Sequence, residues 1–411
     1  MKILHVNYHQ TQGGASVAVN RLVKALNSNN VESELLVNEK KVNDIYVTPQ
    51  FKNLFSLYFH KIKKIFSIYL KKLLGANDIY KDSISIFPSK LHNTINNSKA
   101  DIINLHWICN EMISLKEINK INKPIVWTLL DMWPFAGSTH YTENDFYKFH
   151  NKKFDEKKIF NIENWVLNRK KKYFSNDIVV ICVSKWLERL VKQSYIFKDN
   201  KIFTVPLAID ANEWKSIGKI SARKIINFNE DKKYFLFSAF NGIGDKRKGF
   251  DLLLEAVSKI DLNIKDFEIV ILGNTEGLEE IKNKYEYNFR TFDKKKPINN
   301  YDLIKTIYSA CDILIMPSRL ECLGQVPLEA GGCSLPCVSF KDTGVEDIIN
   351  HKEDGYLAEY LNTDDLANGI NLLCNETINN KMSKNIRNKI AQEFSYEKIS
   401  KKYKDIYKTL T

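Results

Sequence analysis

Glu321 and Glu329 stand with seven residues between them in Pro317-Ser318-Arg319-Leu320-Glu321-Cys322-Leu323-Gly324-Gln325-Val326-Pro327-Leu328-Glu329-Ala330. An apolar run, Ile313-Leu314-Ile315-Met316, precedes them and has the character of a buried strand. A polar loop then leads into a helix starting near Gly324. The backbone N–H groups of Cys322, Leu323 and Gly324 fall where that helix begins, and a helix N-terminus with its dipole suits a diphosphate. Two carboxylates directed at one cleft accept hydroxyl donors, such as those of a sugar and a ribose. Spacing alone does not establish this, because most glutamate pairs of this kind lie on solvated helix faces.

The elements that must position these groups alternate along the chain. Lys2-Ile3-Leu4-His5-Val6, Asp101 to His106, Pro124 to Leu129 and Ile178 to Val183 are strand candidates in the first half, with helical sequence between them. Gln12-Gly13-Gly14-Ala15-Ser16 follows the first strand and opens a helix from Val17 to Leu26. Such a Gly-Gly turn is weak evidence of a binding loop by itself, since turns need glycine anyway. The pattern restarts with Tyr234 to Ser238, Glu268 to Leu272, Ile313 to Met316 and Pro336 to Phe340. Strands alternating with helices imply parallel sheets covered on both faces. The expected fold class is therefore α/β, as two Rossmann-like doubly wound domains facing across a cleft, with ligands beyond the carboxyl ends of the strands. The expected boundaries are 1–205, 206–390 and a terminal helix in 391–411 that packs back on the first domain.

Bulk properties agree with this layout. A chain of 411 residues exceeds one ordinary core, so two domains of roughly 200 residues follow. No apolar run reaches the ~18 residues a membrane span needs, and the first residues lack the zones of a secretory signal. The expected location is cytoplasmic. The seven cysteines are odd in number and scattered, which argues against a disulfide framework, and Cys333 with Cys337 lacks a second ligand pair for zinc. No metal or cofactor is expected. A net charge of +12 asks for an acidic partner, and no nucleic-acid-binding motif is present, so a phosphorylated substrate or an anionic membrane face is expected instead.

The glutamate block, with Gly324 inside it and Pro317-Ser318 upstream, resembles the signature of the retaining glycosyltransferases of family 4, of GT-B fold. Gly332-Cys333-Ser334-Leu335-Pro336-Cys337-Val338, Gly344 to Ile349 and Asp354-Gly355-Tyr356-Leu357 resemble the family's following elements. Asp245-Lys246-Arg247-Lys248-Gly249-Phe250-Asp251-Leu252-Leu253 is similar to its "R-K-G-x-D-x-L-L" segment. The resemblance implies a nucleotide-sugar donor linked to UDP or GDP, Glu321 at its sugar and Glu329 at its ribose. It also brings Gly13 and Gly14 to the donor phosphates. Cleaving the sugar–diphosphate bond builds charge on the β-phosphate, and an Arg fork with a Lys point charge, here Arg247 and Lys248, holds it without metal.

Trp127-Thr128-Leu129-Leu130-Asp131-Met132-Trp133-Pro134-Phe135-Ala136-Gly137-Ser138-Thr139-His140-Tyr141 resembles a subgroup found in capsule, colanic-acid and O-antigen gene clusters. Its pattern has His where this chain has Leu130 and Cys where it has Thr139. Asp131, His140 and His106, in Asn104-Leu105-His106-Trp107, remain as catalytic candidates, although a strand-end histidine is more often structural. The acceptor implied is a glycan, free or lipid-linked.

Residues 51–74 stand apart. Phe51, Phe55, Tyr58, Ile62, Ile65, Phe66, Tyr69 and Leu73 share one helical stripe, with Lys61, Lys63, Lys64, Lys71 and Lys72 elsewhere. Two expectations compete: a peripheral contact with an anionic membrane face, or a stripe packed on the core. Two alternatives to transfer also stand: a non-catalytic nucleotide-sugar-binding partner in a glycan-assembly complex, and a sugar-nucleotide epimerase.

Overall fold

A computed structural model of the chain describes residues 1–51, 53–76, 82–142, 161–292 and 301–411. The chain forms two compact units, Met1–Ala208 with Tyr396–Thr411, and Ile209–Ser395.

The strands of the first unit are Lys2–Asn7 (β1), Glu32–Val37 (β2), Val47–Pro49 (β3), Ile102–Leu105 (β4), Ile125–Leu129 (β5), Val179–Cys182 (β6) and Ile202–Thr204 (β7). They pair in parallel in the order β3-β2-β1-β4-β5-β6-β7. Chain direction around the sheet therefore reverses between β1 and β4, the topological switch point of a doubly wound sheet. The central strands are buried along their whole length, as a sheet covered by helices on both faces requires. Gly13–Ser28 (α1) covers one face with Val19, Leu22, Val23 and Leu26.

Leu54–Leu73 (α2) lies in this unit in an unusual orientation. Its buried residues are the polar His60 and Ser67, at 3% and 4% exposure, while Leu54, Phe55 and Tyr69 are 83%, 72% and 66% exposed. The helix is docked by polar bonds. Ser67 donates to Glu111 Oε1 at 2.8 Å, Tyr8 Oη and His60 Nε2 are 3.2 Å apart, and Lys71 donates to the Asp82 carbonyl at 2.6 Å. The expectation that the stripe packs on the core is thus overturned. The core-facing positions are already taken by groups that need hydrogen-bond partners, and the apolar stripe points outward.

The second unit contains Lys233–Ala239 (β8), Phe267–Gly273 (β9), Phe289–Phe292 (β10), Ile313–Met316 (β11), Cys337–Phe340 (β12) and Tyr356–Ala358 (β13). All pair in parallel, in the order β10-β9-β8-β11-β12-β13. The switch point lies between β8 and β11. Phe250–Val257 (α3), Tyr301–Ala310 (α4) and Gln325–Gly332 (α5) belong to this unit. Its core gathers Phe235, Phe237, Phe250, Leu253, Ile269 and Phe340 around the central strands.

The last helix, Tyr396–Lys408 (α6), belongs to the first unit and packs on α1. Its buried tyrosines reach the sheet: Asn104 Nδ2 donates to the Tyr407 hydroxyl at 2.7 Å, and Thr128 Oγ1 lies 3.3 Å from the Tyr403 hydroxyl. Among the described residues no helix is long and apolar enough to cross a membrane.

Candidate functional site

In the second unit the candidate residues sit on the two connections leaving β8 and β11. After β8 the chain makes a short 3-10 turn at Lys246–Lys248 and reverses at Gly249, whose φ is +71°. A Cβ on Gly249 would come within 2.0 Å of the Pro317 carbonyl oxygen, so glycine alone lets the two connections touch. That contact brings Arg247 and Lys248 to Glu321. Lys248 Nζ bonds Glu321 Oε2, and Arg247 Nη1 stands 3.8 Å from the same oxygen. Arg247 also donates to the Leu320 carbonyl at 3.0 Å, and its own carbonyl accepts from Arg319 N–H at 2.8 Å. Arg319 in turn forks onto Asp251 at 2.9 and 2.7 Å. Gly344 supports the loop from below. Its N–H donates to the Glu321 carbonyl at 2.7 Å, and a Cβ there would sit 2.0 Å from the Cys322 carbonyl oxygen.

The electrostatics of this cluster are opposed. Burial raises the Glu321 carboxyl, but the Lys248 and Arg247 charges outweigh it and hold the group below its ordinary value. Burial and the Arg247 charge push Lys248 down despite its partner Glu321. A second anion placed among these groups would relieve the repulsion between Arg247 and Lys248.

Cys322 and Leu323 are buried, and Gly324 precedes α5, which starts without a side-chain cap and with no acidic residue in its first turn. The positive end of the helix dipole there favours an anion. Glu329 lies further along α5, and Tyr308 of α4 donates to its Oε2 at 3.1 Å. Burial, followed by the Glu329 charge, raises the Tyr308 hydroxyl far above its usual range, which keeps it a donor. Among the described residues no group of three or more His, Cys, Asp or Glu side chains is arranged to hold a metal.

In the first unit Gly13 and Gly14 open α1 next to the carboxyl end of β1, and Gly13, at φ +81°, has open space where a Cβ would be. Asp131 and His140 are brought together: His140 Nδ1 lies 2.6 Å from Asp131 Oδ2, and Trp107 Nε1 donates to that oxygen at 2.8 Å. Ser83 Oγ is 2.9 Å from His140 Nε2, so both ring nitrogens are engaged. The loop carrying them is pinned from inside by Lys170, which donates to the carbonyls of Trp133, Ala136 (3.0 Å) and Gly137 (2.6 Å). His106 is not part of this group. It is buried and stacked on His5, with His106 Nε2 2.9 Å from His5 Nδ1, and burial drives both rings to the neutral form. Leu130 packs against the cluster of Val19, Val23, Leu35, Val37 and Val47.

Tyr308, Ser83, Trp107 and Lys170 were not singled out from sequence. Each belongs to a helix, strand end or loop whose partner lies far along the chain, so no local spacing marks it.

Residues 219–392 match the family described as glycosyl transferases group 1. The UDP-Gal:alpha-D-GlcNAc-diphosphoundecaprenol alpha-1,3-galactosyltransferase of Escherichia coli is 26% identical, over 54% of this chain and 57% of its own length. A 41.2 kDa uncharacterised protein of the cps region of Klebsiella pneumoniae is 22% identical over the whole of both chains. The first curated relatives are matched over 57–61% of their length. Among solved structures, sucrose-phosphate synthase from Thermosynechococcus elongatus superposes with a TM-score of 0.72 at 16% identity, covering 100% of this chain and 99% of that one. The fold is therefore of the GT-B type.

Proposed function

We propose that this chain, whose residues 219–392 match the glycosyl transferases group 1 family, transfers a hexosyl group from a UDP- or GDP-sugar to a lipid-linked glycan of a surface polysaccharide. The observation that carries this is the cluster of Arg247, Lys248 and Glu321 where β8 and β11 end, ahead of the uncapped start of α5. UDP as carrier and a diphosphate-linked lipid as acceptor are supported by the name of the E. coli relative, and a capsule setting by that of the Klebsiella relative.

In this scheme the donor diphosphate takes Lys248 and Arg247 as counter-charges, with the positive end of the α5 dipole beside them. Lys248 is thereby drawn off Glu321, whose carboxylate turns to the hydroxyls of the sugar. Glu329, held by Tyr308, accepts from the ribose. The bond from the anomeric carbon to the β-phosphate oxygen breaks with its electron pair on that oxygen, where Arg247 and Lys248 meet the growing charge. The acceptor hydroxyl bonds to the anomeric carbon from the same face and passes its proton to the departing phosphate, so configuration is retained. No metal takes part. The outward stripe of α2 and its lysines support work at the cytoplasmic face of a membrane, where a lipid-linked acceptor is held.

Thermal unfolding with UDP, GDP, ADP and their sugar conjugates tests the donor assignment. A UDP or GDP series should raise the midpoint, and Glu329→Ala should shrink that rise. Silence from every nucleotide at millimolar concentration would remove the basis of the proposal.

One observation favours a second reading, a nucleotide-sugar-binding partner without turnover. Leu130 occupies the place of the family's histidine and is packed among aliphatic side chains. Donor with a lipid-linked acceptor separates the two: a new glycosidic product supports transfer, and bound but unconsumed donor supports the partner role.

A further inference from the structure

Arg319, two residues before Glu321, ties the connection leaving β11 to the one leaving β8. Its backbone N–H donates to the Arg247 carbonyl at 2.8 Å, and its Nη1 donates to the Lys246 carbonyl, also at 2.8 Å. The same guanidinium forks onto Asp251 at the start of α3, Nη1 to Oδ1 at 2.9 Å and Nη2 to Oδ2 at 2.7 Å. The Tyr360 hydroxyl, just beyond β13, donates to the Arg319 carbonyl at 2.9 Å. One residue thus joins three segments of the second unit. A planar fork of N–H donors serves a carboxylate and a carbonyl together in one fixed geometry, which the point charge of a lysine does not.

The exposure of the pair shows what such a tie is good for. The side chains of Arg319 and Asp251 are 22% and 63% exposed, and ion pairs this open to water add little stability. A bidentate contact still fixes direction. The Arg319 bonds hold the Asp251 carboxyl below its ordinary value, so it is ionised at neutral pH. The other tie between the two connections, Lys248 to Glu321, is the one that an incoming diphosphate breaks in the scheme above. The Lys246–Lys248 turn would then lose that hold just when its cations must stand in place. Arg319 grips the carbonyls of Lys246 and Arg247 instead of their side chains, so its hold survives the exchange. Position matters here, because a displacement of about 1 Å costs on the order of a hundredfold in rate.

We infer that Arg319 is a positioning residue: anchored on Asp251, it keeps the Lys246–Lys248 turn in register with Glu321 after Lys248 has gone over to the donor's β-phosphate. It acts through Arg247 and Lys248 and not on the ligand. This rests on the reading that those two cations receive the donor diphosphate.

Calorimetric titration of the full chain with UMP and UDP, and with GMP and GDP, reads the β-phosphate separately from the nucleoside. Wild type should prefer the diphosphate of the series it binds by about tenfold or more, the worth of one charge-assisted hydrogen bond. Arg319→Ala should cut that preference about fivefold or more and leave the monophosphate affinity within about twofold. Asp251→Asn should do the same, and Arg319→Lys should fall between wild type and Arg319→Ala. Joining Arg319→Ala to Asp251→Asn should add nothing to Arg319→Ala alone, since the two side chains act as one tie. If Arg319→Ala proves poorly folded by its unfolding midpoint, Asp251→Asn, at an exposed position, decides. An unchanged preference in both single variants overturns the inference, and so does a wild type with no preference for the diphosphate. A parallel loss of monophosphate and diphosphate affinity also overturns it, because that is a general loosening of the unit. If wild type binds neither series, the transferase reading fails by itself, and inorganic pyrophosphate decides the tie. Pyrophosphate binding weakened about fivefold or more in Arg319→Ala supports it, and unchanged or absent binding overturns it.

Discussion

The hydroxyl of Tyr308 donates to Glu329 Oε2 at 3.1 Å, from the helix α4 beside the helix α5 that carries the carboxylate. The bond is local to the second unit and fixes one carboxylate oxygen.

Tyr308→Phe keeps the ring and removes only the donor. A hydrogen bond to a charged group is worth about 1.5 kcal/mol at the low end, so KM for the nucleotide-sugar should rise about tenfold with kcat nearly unchanged. Steady-state kinetics beside Glu329→Ala checks this. A fall in kcat at constant KM would place Tyr308 in the chemical step instead.

Lys248 and Glu321 should be coupled in stability as well as in donor binding. Lys248→Met leaves a buried carboxylate with the more distant Arg247, a loss of roughly 1–3 kcal/mol. Adding Glu321→Gln should recover more than half of it, which a double-mutant cycle by denaturant unfolding measures. The carboxyl sits below its ordinary value of 4.5, so its contribution is whole above that value and lost as pH falls through the lower folded one. The difference in unfolding free energy between wild type and Glu321→Gln should therefore close as pH drops below the ordinary 4.5.

Lys170 gives a pH dependence of opposite kind. Burial pushes it down to about 7, against the raising influence of nearby acidic groups, so between that value and its ordinary 10.5 the unfolded chain binds the proton more tightly. Unfolding free energy therefore rises with pH across that window in wild type, and this slope should be missing in Lys170→Met. The same variant strands three carbonyls and should lose roughly 3 kcal/mol at neutral pH. Chemical unfolding at pH 7 and pH 9.5 reads both effects.

The sequence made some of these features visible and hid others for physical reasons. Strands buried on both faces, such as Ile313–Met316, are continuous apolar runs and stand out. Glu32–Val37 does not, because its outer positions are charged: Glu32 and Glu34 both pair with Lys2 on the neighbouring strand. Glu321 and Glu329 share a recognisable block, whereas Lys248 reaches Glu321 only because Gly249 lets two distant connections touch. The stripe in α2 was legible as a stripe, but its direction was not. Direction was decided by the partners of His60 and Ser67, which lie on Tyr8 and Glu111. Asp131 and His140 were visible as residue types, and their mutual bond and the Ser83 contact needed the fold.

The return of α6 to the first unit has a consequence for how the protein is made. Asn104 and Thr128 lie on central strands whose partners Tyr407 and Tyr403 are synthesised some 275 to 303 residues later. The chain departs this unit at Ala208 and rejoins it at Tyr396. Until then the groove that receives α6 exposes Leu22, Leu26 and Val126 to water. The nascent first half is thus an incomplete body until α6 arrives, and a chain cut before Tyr396 leaves it open to chaperones and proteases.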